Sequence, residues 1–306
     1  MSLAIISPGR NPKVWIDALT FYYPEIDIQV YPAIDRPDEV EMAMVWQHPP
    51  GYLRELPNLK LISSLGAGVD HILSDPAVPE SLPIVRIVDE KLTWSMTNYV
   101  VMGVLNFHRQ ITRYQADQQR KVWDMSMPEI PVKVGVMGVG ALGGDVMDKL
   151  DFMGFRVFGY GFSDKEDFRF PYFSKNKLQE FLDEINVLVC LLPLTPDTEN
   201  ILSLELFQKC KPGTFLVNVA RGKHLVEADL IPALDAGYLS GALLDVYRTE
   251  PLPESHPFWE ERRIQLTPHI ASVTNPQAAA PQIIENYKRL KANQPLFNLV
   301  NRQRGY

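Results

Sequence analysis

The stretch that decides the fold is Val132-Lys-Val-Gly-Val-Met-Gly138-Val-Gly140-Ala-Leu-Gly143. It begins as a strand-like apolar run and ends where a helix-like pattern starts, which is the context that a GxGxxG pattern requires for dinucleotide binding. We predict that Gly138 permits the tight turn and that Gly140 lets the backbone approach a pyrophosphate. Gly143 lets the helix pack on the strand, and the diphosphate lies at the positive helix terminus.

Outward from this stretch, short apolar runs alternate with amphipathic segments along almost the whole chain. Strands are predicted at 3–7, 26–31, 42–46, 59–64, 84–88, 132–137, 155–160, 186–192, 214–219 and 239–245. Helices or helical turns are predicted at 11–23, 50–56 and 69–75, and helices at 94–120, 141–151, 175–183, 226–236 and 277–292. The alternation indicates an α/β fold with parallel sheets covered on both faces.

The length of 306 residues favours two domains, at about 150 residues each. We predict two doubly wound parallel-sheet domains, with a Rossmann dinucleotide-binding domain over 100–272 inserted into a flavodoxin-like substrate domain over 1–99 and 273–306. The polar, proline-punctuated segment 123–131 is interpreted as a linker.

Composition excludes several classes of protein. The net charge of −7, from 30 basic and 37 acidic residues without blocks, argues against a nucleic-acid partner. Cys190 and Cys210 form no disulfide pattern, and neither a signal peptide nor a membrane-length apolar run is visible, so we expect a cytoplasmic protein with no membrane partner. The histidines lack ligand spacing, so we expect no metal.

Polar residues follow the apolar runs of the second domain. Arg221 follows 214–219, Glu250 follows 239–245, and His269 closes Thr267-Pro268-His269. Ligands of doubly wound sheets bind beyond the carboxyl ends of the strands, so these three side chains are predicted to converge. Reducing a ketone needs such a set: a cation that orients an anionic substrate, and an imidazole that donates a proton and is stabilised by a carboxylate.

The choice of cofactor is predicted from the end of the run 155–160. An acidic residue there accepts hydrogen bonds from the adenosine ribose and repels a 2′-phosphate, but this chain has Gly161. Ser163, Lys165 and Arg169 follow and can meet a phosphate. The sequence therefore slightly favours NADP(H) over NAD(H).

In order and spacing, these motifs resemble those of the D-isomer-specific 2-hydroxyacid dehydrogenases, in particular the glyoxylate/hydroxypyruvate reductase A branch. The resemblance runs from Trp46-Gln-His-Pro-Pro50 and Leu65-Gly-Ala-Gly-Val-Asp70, through the glycine stretch and the three strand-end motifs, to Arg304-Gly-Tyr306. It implies reduction of a small 2-keto acid, of the glyoxylate or hydroxypyruvate type, to the D-2-hydroxy acid in a homodimer.

The resemblance also implies roles for individual residues. Arg221 binds the substrate carboxylate and keto oxygen, His269 is the general acid/base, and Glu250 orients His269 and raises its pKa. Asp245 holds the nicotinamide carboxamide. The remaining implied cofactor contacts are Gly138, Gly140, Ala141, Leu142, Gly143, Gly161, Ser163, Leu192, Pro193, Thr198, Val219 and Ala220, with Arg221 and His269 shared. The implied substrate contacts are Trp46, Ala67, Gly68 and Val69, in a cleft that closes over the substrate.

Other functions of the same scaffold stay open. These are NAD-dependent oxidation of phosphoglycerate, formate or phosphite, and a non-catalytic dinucleotide-sensing corepressor. Glu250 speaks against the formate branch, which pairs its histidine with glutamine, and the chain lacks the regulatory extensions that a corepressor predicts. The preferred keto acid and the physiological direction are not fixed by the sequence.

Overall fold

A computed structural model describes residues 2–302 and Gly305. The chain divides into a first unit, residues 1–92 and 273–306, and a second unit, residues 93–272. The division falls between Leu92 and Thr93 rather than at the predicted 99–100. Arg304 and Tyr306, which contribute to the family resemblance, lie outside the described residues.

Strands and helices alternate along most of the chain, as the apolar runs predict. The strands are β1 Ser2–Ile6, β2 Ile28–Val30, β3 Val40–Val45, β4 Leu61–Ser64, β5 Ile84–Val85, β6 Lys133–Met137, β7 Arg156–Tyr160, β8 Tyr172–Phe173, β9 Val187–Cys190, β10 Thr214–Asn218, β11 Leu239–Leu244 and β12 Ile264–Leu266. The α-helices are α1 Lys13–Tyr22, α2 Asp70–Leu73, α3 Glu90–His108, α4 Ile111–Arg120, α5 Ala141–Phe152, α6 Leu178–Glu184, α7 Leu204–Lys209, α8 Glu227–Asp235 and α9 Pro276–Lys291.

The first unit contains a parallel five-stranded sheet of order β2-β1-β3-β4-β5. This is the strand order of flavodoxin-like folds, and its switch point lies between β1 and β3. All five residues of β1 are buried, as expected for a central strand that is covered on both faces. Helix α9 packs against α1, so the carboxy-terminal segment completes this unit.

The second unit contains a parallel seven-stranded sheet of order β12-β11-β10-β9-β6-β7-β8. The order reverses between β6 and β9, as in Rossmann folds. Alternate residues of the strands enter different cores: Val187 and Val189 pack in one, Leu188 and Cys190 in the other. The predicted fold class, two parallel-sheet α/β domains, is confirmed.

Some predicted elements are wrong in detail. The single helix predicted over 94–120 is two helices, α3 and α4, because Gln110 between them has a left-handed φ of 55°. Segment 50–56, predicted as a helix or a helical turn, is a short 3-10 turn, Tyr52–Glu55. Segment 123–131 does not separate the two units but lies within the second one.

None of the helices in the described part of the chain has the length and apolar character that crossing a lipid bilayer requires.

Candidate active site

The glycine turn joins β6 to α5 in the centre of the second unit. Gly138 has φ of 98°, and a Cβ atom there would lie 2.5 Å from the carbonyl oxygen of Leu191. A Cβ on Gly143 would lie 1.9 Å from the carbonyl oxygen of Gly138, so helix and turn approach too closely for any side chain. By contrast, the Cβ position of Gly140 has no atom within 4 Å. The turn therefore presents bare backbone on an open side at the start of α5, which fits a diphosphate.

The end of β7, where cofactor choice is predicted, lies beside this turn. A Cβ on Gly161 would lie 2.6 Å from the Tyr172 hydroxyl, which donates a 2.5 Å hydrogen bond to the carbonyl of Ser163. The ammonium of Lys165 donates to the carbonyl of Val139, within the glycine turn, at 3.1 Å. Lys165 thus brings positive charge to the edge where the sequence lacks an acidic residue.

Arg169, the other cation proposed for this edge, is engaged elsewhere. Its guanidinium binds Asp148 at 2.8 Å and Asp151 at 3.0 Å, and both carboxylates belong to α5. Arg169 is therefore occupied on the outer side of the helix, whereas Lys165 contacts the turn.

The segment after β9 is held by its own hydrogen bonds. The hydroxyl of Thr198 donates to the carbonyl of Pro193 at 2.7 Å and accepts the backbone N–H of Thr195 at 2.8 Å. Leu192, which precedes Pro193, is buried. Because β9 pairs with both β6 and β10, Pro193 and Thr198 lie at the switch point of the sheet, where doubly wound folds bind ligands.

The end of β10 carries Val219, Ala220 and Arg221. Asn218 is fully buried, accepts the N–H of Ala220 at 3.3 Å, and donates its amide to the carbonyl of Arg221 at 3.2 Å. At the next residue, Gly222, a Cβ would lie 1.9 Å from the carbonyl carbon of Tyr247. The backbone after Arg221 therefore packs directly against the backbone after β11.

Asp245 follows β11 and is 1% exposed. Its carboxylate accepts hydrogen bonds from the Thr267 hydroxyl at 2.6 Å and from the backbone N–H groups of Ile270 and Ala271 at 2.8 Å each. Burial raises the pKa of Asp245 above its ordinary value. The hydroxyl of Tyr99 lies 2.5 Å from that of Thr267, and since Thr267 gives its proton to Asp245, Tyr99 is the donor. Burial also raises the pKa of Tyr99 to about 12.

Asp245 thus fixes the chain around His269, whose own backbone is unusual. His269 has a left-handed φ of 55°, which few residues other than glycine adopt. Its Nδ1 atom lies 2.7 Å from Oε2 of Glu250, and the other oxygen of Glu250 accepts the N–H of Tyr247 at 3.0 Å. Held in this way, the imidazole directs Nε2 away from the carboxylate.

Glu250 stays ionised in this environment. Burial favours its neutral form, but the hydrogen bonds from His269 and from the Tyr247 N–H, together with the positive charges of His269 and Arg221, lower its pKa below the ordinary value. A guanidinium and a carboxylate–imidazole pair thus share the carboxyl edge of one sheet. This set can orient an anion and exchange a proton with it.

The predicted substrate contacts lie in the first unit. Trp46 follows β3; the guanidinium carbon of Arg10 lies 4.5 Å from the centre of its ring, and His71 packs on it at 4.7 Å. A Cβ on Gly66 would lie 2.7 Å from the Trp46 ring, so the loop to α2 closes tightly on the indole.

The same loop contains the remaining predicted substrate contacts, Ala67, Gly68 and Val69. The Ser64 hydroxyl donates to the carbonyl of Gly68 at 2.7 Å, Ala67 is half-buried, and Val69 is 2% exposed. Nearby, His48 is buried and bonded to Asp75 at 3.0 Å, which supports a loop-stabilising role for this histidine.

Sequence reasoning missed several residues that position the site. Asn218 was detectable, because an amide at the end of an otherwise apolar run marks a buried polar group that needs partners. Gly222 was detectable only as part of a motif. Tyr99 carried no local signal, since its partner Thr267 lies 168 residues away.

Comparisons with known proteins agree with this architecture. The family model described as D-isomer specific 2-hydroxyacid dehydrogenase, NAD binding domain, matches residues 101–271. Glyoxylate/hydroxypyruvate reductase A of Serratia proteamaculans is 38% identical, and that of Photorhabdus laumondii is 37% identical, each over 100% of both chains.

Two solved structures are similar over their full length. The D-isomer specific 2-hydroxyacid dehydrogenase of Xanthobacter autotrophicus, in complex with NADPH and MES, has a TM-score of 0.93 and 35% identity over 100% of this chain and 99% of its own. The NADPH-dependent glyoxylate/hydroxypyruvate reductase of Sinorhizobium meliloti, with NADP and sulfate, has a TM-score of 0.92 and 35% identity over 100% of both chains.

Proposed function

Because the chain belongs to the D-isomer-specific 2-hydroxyacid dehydrogenases, we propose that it reduces a small 2-keto acid of the glyoxylate or hydroxypyruvate type with NAD(P)H. The observation that carries the proposal is the 2.7 Å pair of His269 and Glu250 at the same sheet edge as Arg221. A keto acid has a carboxylate and a polarised carbonyl, and this set offers a cation for the first and a proton for the second.

The reaction adds a hydride to the keto carbon and a proton to the keto oxygen. The dinucleotide, when bound, supplies the hydride. Arg221 holds the substrate carboxylate and polarises the keto oxygen. His269 donates the proton from Nε2, and Glu250 stabilises the imidazolium through Nδ1–H and its own negative charge. In the reverse direction the same imidazole accepts the proton.

The dinucleotide is held by the second unit in this proposal. The bare turn Gly138–Gly140 and the start of α5 receive the diphosphate, Asp245 the carboxamide, and Pro193 and Thr198 flank the adenosine side. NADP(H) is favoured over NAD(H), because Gly161 brings no negative charge to the end of β7 while Lys165 lies against the turn. The NADPH and NADP complexes of the Xanthobacter and Sinorhizobium proteins support this assignment.

Steady-state assays test the function directly. Oxidation of NADPH and of NADH is followed by the near-ultraviolet absorbance of the reduced nicotinamide, with glyoxylate, hydroxypyruvate, pyruvate and phenylpyruvate as acceptors. We expect turnover with the two small acceptors, and a His269→Ala variant that binds NADPH but turns over roughly 100- to 10,000-fold more slowly. Absence of oxidation with every keto acid, or a fully active variant, would contradict the proposal.

We also propose that the protein is a cytoplasmic homodimer that pairs through segment 121–130 of the second unit, here called the arm. Four large apolar side chains of the arm are exposed: Val122 47%, Trp123 91%, Met125 76% and Met127 73%. Arg113 of α4 holds the arm by binding Asp124 and the carbonyl of Ser126, and Ile130 bonds to the carbonyl of His108. An exposed apolar patch held in place in this way marks a protein interface.

We propose that a second copy of the chain covers the exposed side chains of the arm. The exposed side chains of Val122, Trp123 and Met125, together with Tyr114 and Asp117 of α4, line a pocket of 560 Å³. In a two-fold interface the same patch of both copies meets, so an apolar patch of this kind can be buried against itself. Light scattering should give a dimer for the native chain and a monomer for Trp123→Glu. The control Phe21→Glu, which charges a 72% exposed residue of the first unit, should stay dimeric.

A further inference from the structure

His224 is a buried histidine that the proposed reaction does not use. It closes the 3-10 turn Gly222–His224 after β10 and is 0% exposed. A buried imidazole needs partners for both ring nitrogens, and those partners reveal what it holds together.

The ring of His224 joins two segments of the candidate site. Its Nδ1 atom lies 3.2 Å from the backbone nitrogen and 3.1 Å from the carbonyl oxygen of Arg221. Its Nε2 atom lies 3.3 Å from the carbonyl oxygen of Pro193. Arg221 is the proposed substrate cation after β10, and Pro193 belongs to the proposed cofactor loop after β9.

The Nε2–H form fits these contacts best. With the proton on Nε2, the ring donates to Pro193 and accepts the N–H of Arg221 through Nδ1. With the proton on Nδ1, the ring donates to the Arg221 carbonyl, but that oxygen already accepts the Asn218 amide and the His224 N–H, each at 3.2 Å. Two acceptors then face each other at Pro193, and the Arg221 N–H loses its acceptor. The doubly protonated ring also leaves that N–H facing a donor, so the Nε2–H form is favoured.

Further hydrogen bonds fix the two segments on either side of the ring. The carbonyl of Pro193 also accepts the Thr198 hydroxyl at 2.7 Å, so both its lone pairs are used. The backbone around His224 pairs with Leu202: Leu202 N–H donates to the His224 carbonyl at 2.9 Å, and Val226 N–H donates to the Leu202 carbonyl at 3.0 Å. The imidazole therefore sits in a fixed frame and sets the spacing between Arg221 and Pro193.

We propose that His224, in its Nε2–H form, is a positioning residue that couples the substrate cation Arg221 to the cofactor loop at Pro193. This inference rests on the proposed function, because it assigns a role within the same site. The two ring nitrogens have separate roles: Nδ1 fixes the backbone of Arg221, and Nε2 fixes the carbonyl of Pro193.

Two amide variants separate the roles of Nδ1 and Nε2. In His224→Asn the amide oxygen occupies the position of Nδ1 and accepts the Arg221 N–H, but nothing reaches Pro193. In His224→Gln the amide NH₂ occupies the position of Nε2 and donates to Pro193, but Arg221 loses its acceptor. Lys223→Ala, an exposed neighbour in the same turn, is the matched control.

We expect His224→Asn to weaken NADPH binding on the order of fivefold while KM for glyoxylate changes little, since one net hydrogen bond is lost on the cofactor side. We expect His224→Gln to raise KM for glyoxylate by roughly tenfold while NADPH affinity is retained. Lys223→Ala should match the native chain. Equal changes of both parameters in both variants, or no change in either, would overturn the proposal.

A spectroscopic measurement on the native chain decides the case in which a variant does not fold. With ¹⁵N-labelled histidine, long-range proton–nitrogen correlation should show His224 as the Nε2–H tautomer; the Nδ1–H tautomer would overturn the proposal. NADPH affinity and the tautomer do not depend on turnover. If the native chain reduces no keto acid, the proposed function fails, while these two readouts still report on the link from His224 to Pro193.

Discussion

Nδ1 of His269 lies 2.7 Å from Oε2 of Glu250, and the second oxygen of that carboxylate accepts the Tyr247 N–H at 3.0 Å. One carboxylate therefore fixes both the orientation of the imidazole and its own position relative to the backbone after β11. The backbone of His269 has a left-handed φ of 55°, and the bond to Glu250 restricts the orientation of its ring. The carboxylate also stabilises positive charge on the imidazole.

Glu250→Gln should remove the charge and keep only one of the two hydrogen bonds that the carboxylate accepts, because an amide has a single acceptor oxygen. With its oxygen towards Nδ1–H, the amide turns its NH₂ towards the Tyr247 N–H, and a neutral partner no longer stabilises positive charge on the imidazole. We expect kcat for glyoxylate reduction to fall on the order of 10- to 100-fold. The measurement is steady-state kinetics with glyoxylate. Glu254→Gln, an exposed change in the same loop, should leave kcat unchanged.

The lowered pKa of Glu250 also predicts how stability depends on pH. Because the folded pKa lies below the ordinary value of 4.5, the ionised group contributes stability that is fully present above that value and is lost as the pH falls through the folded pKa. We expect the Tm difference between the native chain and Glu250→Gln to be largest near neutral pH and to vanish in acid. A difference that grows on acidification would show that the carboxylate is not stabilised as described.

The Tyr99–Thr267–Asp245 chain predicts a stability effect at a distance from the imidazole. In Thr267→Val the buried carboxylate of Asp245 loses its hydroxyl donor, and the Tyr99 hydroxyl loses its acceptor. We expect the free energy of unfolding to fall by about 1–3 kcal/mol and NADPH affinity to decrease with it. Thr267→Ser, which retains the hydroxyl, should restore both in denaturant unfolding and binding titrations. A Val variant as stable as the native chain would contradict this reading.

Sequence periodicity predicted the sheet strands where it is strong and failed where it is weak. Val187–Cys190 is apolar on both faces of the sheet, as a central parallel strand must be. Ile264–Leu266 has only three residues with a glutamine between two apolar ones, so β12 gave no strand signal. The break between α3 and α4 was missed because Gln110 adopts a positive φ without the glycine or proline that usually marks one.

Some residues of the candidate site could likewise be predicted from the sequence, and others could not. Arg221, Glu250 and His269 were predictable because the carboxyl ends of parallel strands meet at one edge of the sheet. The roles of Asn218, His224 and Tyr99 depend on which atoms meet in the folded chain. Tyr99 reaches Thr267 across 168 residues, and no local pattern encodes such a contact.

We expect cofactor preference to depend on Lys165 rather than on Arg169. Lys165→Ala removes the ammonium beside the glycine turn, and we expect KM for NADPH to rise roughly 10- to 100-fold while KM for NADH changes little, because only NADPH has a 2′-phosphate. Arg169→Ala is the matched control, since its guanidinium is engaged by Asp148 and Asp151. Parallel kinetics with both dinucleotides decide the point, and a shift in preference caused by Arg169→Ala would refute the assignment.

At Gly222, the backbone that follows Arg221 packs against the backbone that leads to Glu250. In Gly222→Ala the new Cβ would lie 1.9 Å from the Tyr247 carbonyl carbon and 2.4 Å from the Arg248 nitrogen, so backbone must move. We expect the free energy of unfolding to fall by about 1–3 kcal/mol or more, with a larger loss of kcat/KM than of NADPH affinity. Gly144→Ala, inside α5 and with no atom within 4 Å of its Cβ position, should instead stabilise the protein by about 0.5–1 kcal/mol. Thermal unfolding and steady-state kinetics of both variants test the contrast, which fails if the two alanines have the same effect.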